Sequence, residues 1–232
     1  MFNKKLAFLS LLILISPLFS DLPAEETDSL LMIYQESNRQ GEQVRHHILA
    51  SDKRFELKTE LSGELEHQVC LLDETGQTRE WHYIDSSRDI QLKAVLLVDR
   101  RIHLSGSRRG KVVEKYFQIN RQPWNQRFQH GLASFLKGEE RKTVFWAIGT
   151  RGKGELKITR FTVSREDAGS PPPGLIESGP RGPFLQIKIS LHGLLAAFWS
   201  GHYWYDAAEA DFLFYQGKSS YLDNEVVLLR EK

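Results

Sequence analysis

Eight histidines are the first side chains able to do chemistry in this 232-residue sequence. His46 and His47 are adjacent, and His67, His82, His103, His130, His192 and His202 stand alone. A metal ion needs ligands converging at about 2 Å, yet neither His-x-x-x-His nor His-Glu-x-x-His spacing occurs. Glu80 and His82 share one face of an expected strand and would supply half a site; the plainer reading is a solvated pair flanking Trp81. Neither a metal nor another cofactor is expected. Ser105-Gly106-Ser107 lacks the strained elbow of a nucleophilic serine, and Ser200-Gly201-His202 is a fragment of turn or strand, not a triad. Gly149-Thr150-Arg151-Gly152-Lys153-Gly154 has the glycines of a phosphate loop, but alternating residues follow, so no helix N-terminus would face an anion. A hairpin turn accounts for it. No set of titratable residues recurs at catalytic spacing, and an enzyme is not expected.

Aromatic residues offer binding chemistry instead. In Phe198-Trp199-Ser200-Gly201-His202-Tyr203-Trp204-Tyr205 a strand would place rings on both faces. Such a strand left bare would aggregate, so one face must be covered and the other is available to line a pocket. Rings with a polar tip suit a sugar or an acyl chain. The candidate ligand-facing residues are Trp124, Phe128, Phe135, Phe198 and Trp204. Arg100-Arg101, Arg108-Arg109 and Lys111 gather basic charge around one expected hairpin, where they either guard a sheet edge or meet an acidic partner or lipid head group.

The elements that position these groups are mostly strands. In Arg54-Phe55-Glu56-Leu57-Lys58-Thr59-Glu60-Leu61 one face is charged and the other carries Phe55, Leu57, Thr59 and Leu61, the period of two of a half-buried strand. Residues 90–98 and 184–192 alternate likewise, and weaker strands are expected at 29–37, 43–51, 65–73, 79–85, 101–107, 111–119, 143–149, 155–165, 198–205, 211–216 and 225–230. Short turns rich in glycine separate them, which argues for sequential antiparallel pairing. The class is therefore mainly β. One amphipathic helix is expected over 126–137, where Phe128, Leu132, Phe135 and Leu136 form a stripe between Asn125 as N-cap and Gly138 beyond the end. The Pro/Gly-rich stretch 169–183 cannot form ladders and reads as an irregular loop within one domain, 21–232. The single Cys70 sits in the apolar string Val69-Cys70-Leu71-Leu72 and reads as a buried hydrophobe.

The N-terminus supplies a compartment. Lys4 and Lys5 precede an apolar run from Leu6 to Ile15, closed by Ser16-Pro17-Leu18-Phe19-Ser20, the layout of a secretory signal peptide. The run is shorter than the roughly 20 apolar residues of a spanning helix, so cleavage is expected after Ser20 or Ala24, leaving no transmembrane span and a periplasmic or secreted protein. Losing Lys4 and Lys5 turns the formal charge from +1 to −1, a balance that gives no footprint for nucleic acid. Short strands with charge on alternating faces also speak against an outer-membrane barrel.

This order of signal peptide, sequential strands, one helix and a late aromatic strand resembles the half-barrel superfamily of periplasmic lipoprotein carriers of the LolA/LolB kind. The segments Gln122-Pro123-Trp124-Asn125-Gln126 and Phe198–Asp206 also look like those of uncharacterised exported bacterial proteins. The carrier resemblance implies a curved antiparallel sheet, a half-barrel or open barrel, packed on one amphipathic helix and enclosing an apolar concavity. It departs at Leu30-Leu31-Met32-Ile33-Tyr34, strand-like where the carriers begin with a helix. The expected function is an exported envelope protein that binds or carries an apolar or amphipathic ligand such as a lipid. The alternative is a protein-interaction or assembly factor of the envelope without a small-molecule ligand.

Overall fold

Each strand pairs with its neighbour in sequence except at one seam, and the last returns to the first. The computed structural model describes residues 30–218 and 225–230, apart from 39, 51–53, 62–63, 130, 152–154, 168–171, 173–174 and 176–182. The expected signal peptide and most of the 169–183 segment thus lie outside the described residues. The strands are β1 (Leu30–Asn38), β2 (Gln43–Ala50), β3 (Arg54–Leu61), β4 (Glu64–Leu72), β5 (Thr78–Asp85), β6 (Ile90–Leu96), β7 (Arg101–Arg108) and β8 (Lys111–Gln118), then β9 (Lys142–Arg151), β10 (Glu155–Glu166), β11 (Phe184–Leu191), β12 (Ser200–Asp206), β13 (Phe212–Lys218) and β14 (Glu225–Arg230). They form one sheet in the order β8-β7-β6-β5-β4-β3-β2-β1-β14-β13-β12-β11-β10-β9, antiparallel at every junction. The edges β8 and β9 do not pair with each other, so the sheet is an open barrel. Its two ends nevertheless meet, because Lys115 Nζ of β8 donates to Leu156 O of β10 at 3.2 Å.

Alternation decides which face turns inward. In β6, Ile90, Leu92, Ala94 and Leu96 are buried while Gln91 and Lys93 are exposed, and burying each large side chain contributes ~1.5–3 kcal/mol. The strand stops at Leu96, short of the expected 98, because Leu97–Arg100 is a turn in which Arg100 takes φ +64° and Val98 is fully exposed. The β7–β8 turn is the two-residue Arg109-Gly110, both at positive φ, the backbone that matches strand twist in a tight hairpin.

The expected 126–137 helix is corrected. Only α1 (Ala133–Lys137) is helical, and Leu132, not Asn125, stands at its N-cap. Before it, residues 123–126 lie along the free edge of β9, and 128–129 and 131–132 are turns. Trp146 N–H donates to Pro123 O and Asn125 N–H to Trp146 O, both at 2.8 Å. The Gln126 amide accepts Ile148 N–H at 2.9 Å and donates to Ile148 O at 2.8 Å. On the other side Thr78 N–H donates to Trp124 O at 2.9 Å, and Gln126 N–H to Thr78 Oγ1 at 3.0 Å. Backbone groups on an unpaired edge demand partners, and this demand outweighs the helical period of the apolar residues. The helix ends before Gly138, its C-cap, as expected. Arg165 Nη2 donates to the carbonyls of Phe135, Leu136 and Gly138 at 2.6–2.9 Å, serving the orphan acceptors of a helix C-terminus.

The connection between β8 and β9 therefore folds back into the barrel and plugs one end. Trp124, Leu132, Phe135 and Leu136 are buried in the main core with Phe145, Val163, Ile187 and Tyr205. Cys70 belongs to that core, wholly buried and unpaired as the sequence implied. No helix among the described residues is long and apolar enough to cross a membrane.

Candidate functional site

A meander of antiparallel strands puts alternate hairpins at one end, and here the β1–β2, β5–β6 and β7–β8 turns gather opposite the plug. Between them the barrel retains a cavity of ≈ 890 Å³, near the top of the ~300–1,000 Å³ range of small-molecule sites. Its wall is apolar at Ile48, Leu57, Trp81, Ile90, Leu92, Ile148, Leu156 and Phe212, and the tip of the plug closes it through Gln126, Arg127, Phe128 and Gln129.

Polar groups interrupt this wall in three sets. On β1–β3 the His46 ring bridges Glu36 Oε2 at 2.8 Å and Thr59 Oγ1 at 3.0 Å. Hydroxyl, imidazole and carboxylate stand in the order of an acyl-transfer triad. Thr59, however, is buried away from the cavity lining, so the row positions Glu36. The second set is Glu66, Tyr83, Asp85 and Arg88. Tyr83 O–H donates to Glu66 Oε2 at 3.1 Å, Arg88 Nη2 donates to the same oxygen at 3.3 Å, and Arg88 Nε bonds Asp85 Oδ2. Burial pushes Asp85 up, but hydrogen bonds from Ser87 and Arg88 outweigh it and hold the carboxyl below its ordinary value. Burial, with Glu66 beside it, pushes the Tyr83 phenol far above its ordinary value, so it stays a neutral donor. In the third set, Arg127 Nη1 on the plug and Trp81 Nε1 both donate to Gln68 Oε1, at 3.3 and 3.2 Å.

The five residues singled out from sequence do not converge. Phe128 lines the cavity and packs edge-on against Phe145, Phe161 and Trp199. Trp124 and Phe135 are core side chains of the plug. Trp204 lies on the outer face of the sheet, in a separate cluster with Phe214 and Leu175 of the Pro/Gly-rich stretch. Phe198 precedes β12, which starts only at Ser200, and is 72 % exposed. It follows a 3₁₀ turn, Gly193–Ala197, that also exposes Leu194 at the open end. The inward residues of β12 are instead Tyr203 and Tyr205.

The basic residues also separate. Arg101 and Arg108 begin and end β7, about 23 Å apart at the ~3.3 Å rise of a strand, so no single patch surrounds one hairpin. Arg100 is spent on Asn120 O and Gln122 O, at 2.7–3.1 Å, anchoring the start of the plug, whereas Arg108 and Arg109 line the cavity. Four more histidines pair with carboxylates, His67 with Glu56, His82 with Glu80, His103 with Glu114 and His202 with Glu166, whereas His192 bonds Thr162 Oγ1. The Glu80–His82 pair flanks Trp81 as the spacing implied, but the side chains are only 21 % and 11 % exposed, so the pair is half-buried and not solvated. The lining carboxylates and Arg127 were missed, and Arg108 and Arg109 were picked out only as part of a basic patch, though a signal for the wall existed. Glu36 follows Met32 and Tyr34 in the inward register of β1, and Arg108 follows Ile102 and Leu104 in that of β7. A charge in an apolar register marks either an error of pattern or a functional wall.

This geometry defines a mainly β, barrel-like protein with a partly polar lumen. The chain is similar to a solved structure, the crystal structure of a beta-barrel-like protein of Domain of Unknown Function DUF1849 from Brucella abortus. The two share 9 % identity at a TM-score of 0.57, over 88 % of this chain and 96 % of the other. The likeness is one of fold; it supports the barrel-like half of the expected resemblance and leaves the lipoprotein-carrier superfamily aside. No family model matches the sequence, and no curated protein does.

Proposed function

We propose that this protein binds an amphipathic, largely apolar ligand such as a lipid inside the open barrel, as an exported protein of the bacterial cell envelope. The ≈ 890 Å³ lumen carries the reading: aliphatic and aromatic side chains line it, and charged groups interrupt it. Apolar wall with a few placed polar groups is the usual make-up of a small-molecule site. Export rests on the Lys4/Lys5 and Leu6–Ile15 pattern. Native mass spectrometry of the gently purified protein tests binding. A co-purifying adduct of lipid mass is expected, and a clean apo mass that no added lipid shifts would refute it. N-terminal sequencing tests export, with Asp21 or Glu25 expected first and an intact Met1 in the soluble cytoplasmic fraction contradicting it.

A second reading, an assembly factor that docks on another envelope protein, is favoured by Leu194 and Phe198, exposed at 99 % and 72 % beside the open end. An apo mass together with an envelope protein cross-linked through these positions is its expected signature.

A further inference from the structure

We propose that the head group accepted by this cavity is an anion, a carboxylate or a phosphate, held by Arg127 and by the Arg108–Arg109 pair. The inference rests on the binding function proposed above and adds the charge class of the ligand. Arg88, Arg108, Arg109, Arg127 and Lys218 face the lumen against the carboxylates of Glu36 and Glu66. Glu66 is engaged by Arg88, which also bonds Asp85 behind it, and Glu36 lies against His46. Among the described lining residues the cations outnumber the carboxylates, even with Asp85 counted.

Placement sharpens this. Arg127 is 8 % exposed and projects from the plug tip, its Nη1 on the neutral amide of Gln68. Arginine keeps its proton in any protein environment, and in a poorly solvated wall its attraction for an anion is screened less than in water. An entering anion is drawn to it, while an ammonium is repelled. Arg108 stands in the inward register of β7, and Arg109 follows at φ +52° with its backbone N–H fixed on Asp89 O at 2.7 Å. The planar guanidinium suits carboxylate and phosphate alike through paired hydrogen bonds. The apolar wall then takes the tail.

Four single-chain probes with one common dodecyl tail separate head from tail: dodecanoate, dodecyl phosphate, dodecyl maltoside and dodecyltrimethylammonium, titrated below their micellar concentrations and followed by the fluorescence of the lining Trp81 and Trp199. One or both anions are expected to bind about ten- to a hundred-fold tighter than the neutral and cationic probes, the advantage of a charge-assisted hydrogen bond. Whichever anion leads assigns the source, a free fatty acid or a phosphorylated lipid. Arg127→Gln is expected to lower anion affinity by more than it lowers maltoside affinity, so that the anion preference narrows. Since Arg127 is buried and its loss bears on folding, the Arg108→Gln/Arg109→Gln pair supplies a second variant, expected to narrow the same preference. Equal affinity for all four heads, or an anion preference surviving both variants, overturns the assignment but not the binding function. Failure of every probe to bind overturns both.

Discussion

Gly201 of β12 lies directly opposite Gly217 of β13, and the Tyr215 ring fills the space a side chain on either would need. A Cβ on Gly201 would meet the ring at 2.5 Å, and one on Gly217 would meet the hydroxyl at 2.4 Å. The ring lines the cavity, and its hydroxyl donates to Lys218 O at 2.7 Å. Gly217→Ala should therefore push Tyr215 into the lumen, costing ~1–3 kcal/mol as an overpacked site and weakening amphiphile binding. Denaturant unfolding and probe titration of one sample check both effects, and an unchanged midpoint would show that Tyr215 lies elsewhere.

Gly106 makes a sharper test of register. It sits in β7 opposite Leu92 at φ +140°, and a Cβ there would stand 2.1 Å from Gln91 O. Backbone cannot yield as a side-chain tip can, so Gly106→Ala should cost more than Gly110→Ala, whose Cβ meets nothing within 4 Å. Both positions have positive φ, which leaves packing as the difference. Equal losses would refute the β6–β7 register.

Burial pushes the Cys70 thiol up to about 12, so the thiolate is scarce at pH 8. Ellman's reagent should leave the native protein unmodified and titrate one thiol in denaturant. Rapid labelling of the native protein would contradict the core position of Cys70.

The Asp85 carboxyl is held below its ordinary value of 3.8. A depressed folded-state pKa contributes stability above the unfolded value, lost as pH falls through the folded one. Unfolding midpoints should drop on acidification below about pH 4, and Asp85→Asn should flatten that drop while lowering stability at neutral pH. A variant with the parent's acid dependence would show that other carboxylates govern it.

Trp204 and Phe128 separate the outer face from the lumen. Trp204→Ala should lower stability by ~3–5 kcal/mol without altering amphiphile affinity, because its cluster with Phe214 and Leu175 lies outside the barrel. Phe128→Ala should reduce affinity, since its ring borders the cavity. The reverse pattern would place the site on the outer face.

Much of the sheet was legible because inward and outward residues alternate cleanly, as at Ile90, Leu92, Ala94 and Leu96. The plug was not. Phe128, Leu132, Phe135 and Leu136 carry a helical period, but the segment before α1 answers to the β9 edge, and nothing local in the sequence announces that non-local demand. The candidate site was half legible for a related reason. Aromatic type picked out Phe128, but it could not tell a lumen ring from the outward Trp204, a distinction set by the pairing of Trp204 with Phe214 and Gln186. The charged wall needed the register itself, because Glu36, Arg108 and Arg127 converge only after β1, β7 and the plug are brought around one axis.

Filling the lumen tests most directly whether it holds the ligand. Leu57 is 4 % exposed and lines the cavity from β3, so Leu57→Trp places a large ring in the space an acyl chain would occupy. Amphiphile titration of parent and variant, each first checked for a cooperative unfolding transition, should give binding to the parent and at least a tenfold loss in the folded variant, or about 1.4 kcal/mol. Undiminished binding by a folded Leu57→Trp protein would contradict a ligand inside the barrel.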